Sequence, residues 1–124
     1  MLFRSIQYAI ARINSILRKA QEKNLKAGNI IILLPEEREM ALKIMQLNAV
    51  IWRAHNEKEP SIIADYAYTL SQSFSSFYNV APIMTAETTA IAESRLKLAK
   101  LVRDILKTLL YLLGIESPEV MLKK

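Results

Sequence analysis

The sequence has no cysteine and only two glycines among 124 residues. Without cysteine there is no disulfide, no thiolate nucleophile and no cysteine-ligated metal; a reducing cytoplasm is the expected compartment. Two glycines cannot build a glycine-rich phosphate loop. The single histidine, His55, sits in the polar stretch HNEKEP with no carboxylate or nucleophile at useful spacing, so it reads as a solvated side chain. No grouping of His, Asp and Glu has metal-ligand spacing on one face, so neither a catalytic site nor a metal site is expected. Long apolar runs are missing too. The longest, IIILLP, falls far short of the roughly 20 residues that span a bilayer, and LKLAKLVRDILKTLLYLLGI carries five charged residues and is amphipathic. No secretory leader is evident, because Arg4 is followed by a mixed helix without a small-residue cleavage site.

What is present is a chain that is 52% hydrophobic, long enough for one domain with one core. The net charge is +5, and it is unevenly placed. Residues 1–28 hold six bases (Arg4, Arg12, Arg18, Lys19, Lys23, Lys26) against the one acid Glu22, while the remaining bases and acids cancel. The whole excess is therefore assigned to the first helix. Such a face suits a polyanion, either nucleic acid or an acidic membrane surface; a merely solvated helix face is the alternative.

The periodicity predicts an all-α, antiparallel bundle of about four long helices and no strand of useful length. The first runs from Leu2 to about Ala27 on the stripe Ile6, Ala9, Ile13, Ile16, Leu17 and Ala20, with Gly28 as its stop. NIIILL follows as a buried linker. The second starts at Pro35, a favoured first helical position, with Glu36, Glu37 and Glu39 assigned to the positive helix N-terminus. Its inward face is Met40, Ala41, Ile44, Leu47, Asn48 and Ile51. The third starts near Pro60 with the stripe Ile63, Tyr66, Ala67, Leu70, Phe74 and Phe77, and Pro82 bars its continuation. The fourth starts between Thr85 and Glu87. Its face is Ala92, Leu96, Ala99, Val102, Leu106, Leu109 and Leu113; Gly114 stops it and Pro118 follows. Connections are short enough for antiparallel neighbours. No repeat or domain boundary interrupts residues 1–124.

Two surface features go beyond packing. Tyr8 and Arg12 are four residues apart and share one face of the most basic helix, toward the edge of its core stripe. An aromatic ring beside a guanidinium can stack a base and attract a phosphate; equally, a partly buried tyrosine can lie over an arginine stem. In SQSFSSFYNVAPIM, Phe77 continues the core stripe, so Tyr78, about 100° away on the helix, is left over.

At these residues the chain resembles a known family. QYAIARINSILRKA is similar to the first helix of the C-terminal, DALR-type anticodon-binding domain of arginyl-tRNA synthetases. DYAYTLSQSFSSFYNVAPIM and ESRLKLAKLVRDILKTLLYLLGIESPEVM are similar to its last two helices, and the likeness covers nearly the whole chain. The resemblance implies a helical anticodon-binding fold, and as partners the anticodon stem-loop of tRNA(Arg) and the catalytic domain of the same parent chain, with no membrane. It also implies that the chain is the C-terminal part of a longer class I ligase. Neither catalytic signature of that class occurs here, so arginine and ATP (with Mg) would bind in residues outside this chain. The anticodon contacts it implies are Tyr8, Arg12, Tyr78 and Met121; Arg18, Lys19 and Lys23 of the basic first helix are expected to add weaker, salt-sensitive contacts to the tRNA backbone. The chain departs from the family at SPEVMLKK, where members commonly end in a form like PERM, and at Ile10, where histidine is common. Tyr8 and Tyr78 are expected to lie near the middle anticodon base, with Arg12 on a base edge or phosphate. The reading from another class is a helical module that docks on a protein or an acidic membrane through the basic first helix. Trp52, Tyr66, Tyr68 and Tyr111 are its candidate anchors, though packing is the expected role of each.

Overall fold

A computed structural model describes residues 2–114, with side chains from Phe3 onward. Five helices follow in order: α1 (Leu2–Glu22), α2 (Pro35–Met45), α3 (Leu47–Glu57), α4 (Pro60–Val80) and α5 (Thr89–Leu112). No strand occurs among the described residues. The expected second helix is thus a broken pair, α2 and α3. The break at Gln46 has a local cause. The Gln46 N–H closes a tight turn onto the Lys43 carbonyl (3.1 Å), and the Tyr66 hydroxyl of α4 donates to the same carbonyl. A side chain entering the helical ladder bends it. Burial pushes the Tyr66 phenol up to about 12.

α4 is the central element and packs against each of the other four helices, whereas α1 touches α4 and α5 but neither α2 nor α3. This explains why α4 buries its predicted stripe so fully: Ala67, Leu70, Phe74 and Phe77 are all inaccessible. Each such large side chain contributes about 1.5–3 kcal/mol by leaving water. α1 and α5 are antiparallel, as Arg103 donating to Asn14 Oδ1 (3.0 Å) and Gly28 N–H donating to the Glu93 carbonyl (2.9 Å) together require. α1 and α4 run in the same sense: Tyr8 faces Gln72 and Ser75, Arg12 reaches Tyr78, and Lys19 faces Pro82. This is the sense expected of the first and third helices of an antiparallel up-and-down bundle.

That linker departs from expectation twice. α1 ends at Glu22 rather than near Ala27. Asn24, in the left-handed region at φ 59°, takes the capping place expected of Gly28. Its N–H bonds to the Gln21 carbonyl and that of Leu25 to the Ala20 carbonyl, which closes the helix end. Lys23 and Lys26 therefore lie beyond the helix. The side chains of Ile30, Ile31, Ile32 and Leu33 are exposed, not buried. The reason is that a non-helical segment must pair its peptide groups. Ile31 N–H donates to Ser94 Oγ (2.7 Å), and that hydroxyl donates back to the Ile31 carbonyl (3.1 Å), so backbone rather than side chain faces α5. Gly28 serves close approach: a Cβ there would sit 2.9 Å from Glu93 Cβ.

Two further corrections concern polar residues. Asn48, assigned inward, is exposed. Glu37, assigned to the helix dipole, is wholly buried: its Oε1 accepts from Leu34 N–H (3.0 Å) and lies 3.9 Å from Arg95 Nη2. Arg95 in turn donates to the Pro82 carbonyl (2.7 Å), joining α2, α5 and the α4–α5 turn. α5 starts at Thr89, just later than expected, where Thr88 Oγ1 caps Ile91 N–H at 3.1 Å. Gly114 does follow its end, at φ 76°. Pro118 lies outside the described residues.

Candidate nucleic-acid interface

The parallel pairing of α1 and α4 builds the site. On a helix, Tyr8, Arg12 and Lys19 fall within about 40° of one another, on the flank next to the buried stripe. α4 presents Phe74 and Tyr78, one turn apart, to the same flank. Phe74 is buried and Tyr78 is 37% exposed, so the two rings form a ladder from core to surface, with centroids 5.9 Å apart and planes 19° apart.

The arginines complete it, though not in the expected pairing. Arg12 does not cover Tyr8. Its guanidinium lies over the Tyr78 ring, 5.4 Å from the centroid, and Arg4 lies over Tyr8 at 5.5 Å. Each is a cation–π contact worth about 0.5–2 kcal/mol, stronger where water is excluded. Tyr8 is 47% exposed, so a large part of its ring remains open to solvent.

Two clefts flank the Arg12–Tyr78 pair. One, of about 210 Å³, is lined by Ser5, Tyr8 and Arg12 of α1 and by Gln72, Phe74 and Ser75 of α4. The other, of about 310 Å³, is lined by Ile16, Lys19, Tyr78, Met84 and Thr85 among others. The surface thus alternates aromatic faces with guanidinium and ammonium groups, which suits unstacked bases and their phosphates. Of the residues named from the sequence, Tyr8, Arg12, Tyr78 and Lys19 converge. Arg18 is exposed but points about 100° away from Lys19. Lys23 is exposed beyond the end of α1. Met121 lies outside the described residues. Arg4 and Gln72 were not anticipated. The spacing of Arg4 to Tyr8, four residues, could have shown the first; Gln72 needed the α1–α4 register.

Of the alternative anchors, Tyr66 is buried, whereas Trp52 and Tyr111 are 69% and 81% exposed, against their expected packing role. A mainly apolar groove of about 490 Å³ lies between α3, the start of α4 and the end of α5. Among the described residues no group of His, Asp and Glu could hold a metal, and no helix is long and apolar enough to cross a membrane.

Comparison with known proteins agrees on one family. The profile described as DALR anticodon binding domain matches residues 6–121. The chain is 38% identical over 114 residues to the arginine–tRNA ligase of Maricaulis maris (strain MCS10), covering 92% of this chain and 19% of that protein. It is 40% identical over 116 residues to the arginine–tRNA ligase of Limosilactobacillus fermentum, covering 94% and 20%. The fold superposes on Thermus thermophilus arginyl-tRNA synthetase with a TM-score of 0.80 at 34% identity, covering 94% of this chain and 20% of that one. The chain thus spans about a fifth of the length of the curated relatives it matches.

Proposed function

The chain belongs to the DALR anticodon-binding domain family of arginyl-tRNA synthetases, and from that premise we propose that it binds the anticodon loop of an arginine tRNA on the α1–α4 face. The observation that carries the reading is the convergence of Tyr8, Arg12, Tyr78 and Lys19 on one flank beside two open clefts. Every arginine codon has G at its middle position, so every arginine anticodon has C there, and one pocket for that base serves all isoacceptors. In this reading the exposed face of Tyr8 stacks the base. Arg12, held over Tyr78, meets a base edge or phosphate, and Lys19 meets the backbone. Arg18, Lys23 and Met121 remain proposed outer contacts.

The chain acts as one binding unit, residues 1–124, of a longer cytoplasmic ligase that joins arginine to tRNA. The chemistry, with ATP and magnesium, belongs to the rest of that protein. The exposed Trp52 and Tyr111 favour a second, compatible role in docking a protein body such as the catalytic domain. The test is binding of arginine tRNA at matched salt by Tyr8→Ala and Tyr78→Ala. Each substitution is expected to cost about 1–3 kcal/mol. Parent-like affinity in both would overturn the assignment.

A further inference from the structure

The cleft beside Tyr8 carries a hydrogen-bonding side chain on its α4 wall. Gln72 lines it from α4, is exposed, and makes no hydrogen bond to another of the described residues. Ser75, about one turn on, lines the same cleft with a hydroxyl that likewise bonds no other described residue. Across from them stand the Tyr8 ring and the Arg12 guanidinium. A ring that can stack a base and an amide that can meet the edge of that base are the two halves of single-stranded RNA recognition.

We infer that Gln72 is the residue that reads the base edge in this cleft, with its side-chain amide paired to the Watson–Crick edge of the base stacked on Tyr8. The inference rests on the anticodon-binding reading above. The chemistry is specific. Cytosine presents the N4 amino group as donor next to the N3 acceptor. An amide answers both, its oxygen accepting from N4–H and its nitrogen donating to N3. A carboxylate at the same position can accept from N4–H but cannot donate to N3. It suits instead the guanine edge, where N1–H and N2–H are adjacent donors. The arginines supply donors only, so neither guanidinium of the ladder replaces the amide's acceptor.

The test is equilibrium binding of the full chain to arginine anticodon stem-loops carrying C, U, A or G at the middle position, at fixed salt. Gln72→Leu removes the edge contacts without adding charge. It should weaken binding of the C loop by roughly five- to a hundredfold and reduce the preference for C, with an unchanged thermal midpoint. Gln72→Glu should shift the ratio of C-loop to G-loop binding toward G. Gln21→Glu, an equal charge change on an exposed residue outside the cleft, should weaken all four loops alike. A Gln72→Leu protein that keeps the parent's preference for C overturns the inference and leaves the anticodon reading standing. A parent chain with no preference among the loops overturns both.

Discussion

Replacing Glu37 by leucine should destabilise the protein severely, and replacing Arg95 as well should restore most of the stability. Glu37 is inaccessible and Arg95 is 7% exposed. Their closest charged atoms are 3.9 Å apart. At that separation the attraction is about 4 kcal/mol for an effective dielectric of 20. Burial costs several kcal/mol per ion, and here it is incompletely offset, because Glu37 Oε2 and Arg95 Nε have no hydrogen-bond partner among the described residues. The pair therefore adds little net stability, yet either ion alone is an uncompensated buried charge. Glu37→Leu and Arg95→Met should each cost about 3–5 kcal/mol. The Glu37→Leu/Arg95→Met double variant should lie within about 2 kcal/mol of the parent, the remainder being the Leu34 N–H and Pro82 carbonyl bonds it forfeits. In a chain of this size 1 kcal/mol moves the thermal midpoint by about 4 °C. The singles should thus melt about 12–20 °C lower, and the double less than about 10 °C lower. Urea titrations of the four proteins give the coupling energy directly. Additive destabilisation, or a Glu37→Leu protein as stable as the parent, would refute the reasoning.

The Tyr66 phenol is raised by burial to about 12 from its ordinary 10.0; its stabilising contribution is whole below about pH 10 and disappears as pH rises to about 12, since the unfolded chain ionises first. Tyr66→Phe should abolish that slope in alkaline denaturation and cost about 0.5–1.5 kcal/mol at neutral pH, because the bond to the Lys43 carbonyl goes with the hydroxyl. Gly28→Ala should cost about 1–3 kcal/mol in chemical denaturation, because its Cβ meets Glu93 Cβ at 2.9 Å; a neutral result would mean that the linker shifts freely on α5. Replacing Arg18, Lys19 and Lys23 by alanine should flatten the dependence of log affinity on log salt by up to about 0.7 for each phosphate no longer neutralised. Given the geometry, Lys19 should account for more of it than Arg18.

Much of the bundle was legible in the sequence because apolar stripes repeat at helical spacing, and because Pro82 and Gly114 follow the ends of α4 and α5. Phe77 in and Tyr78 out followed from a 100° rotation and nothing else. What failed was tertiary. Composition could not show that Ile30–Leu33 turn their peptide groups to Ser94, or that the Tyr66 hydroxyl breaks the second helix at Gln46. A carboxylate in a first helical turn looks like dipole complementation until Arg95 arrives from a helix far away in sequence. The site was legible in its parts and not in its assembly. Tyr8, Arg12 and Tyr78 were named, but Arg12 covers Tyr78 rather than Tyr8, because α1 and α4 run parallel. Gln72 has no local signal at all; only that register brings it beside Tyr8.

The most direct measurement of the central claim is the affinity of this chain for an arginine anticodon stem-loop with the middle C intact and with that base changed to U, across a salt series. Binding of both loops should weaken with salt. The preference for C, about 1–3 kcal/mol, should persist as salt rises, because stacking and edge contacts are not counterion effects. Equal affinity for the two loops at every salt concentration would contradict the claim.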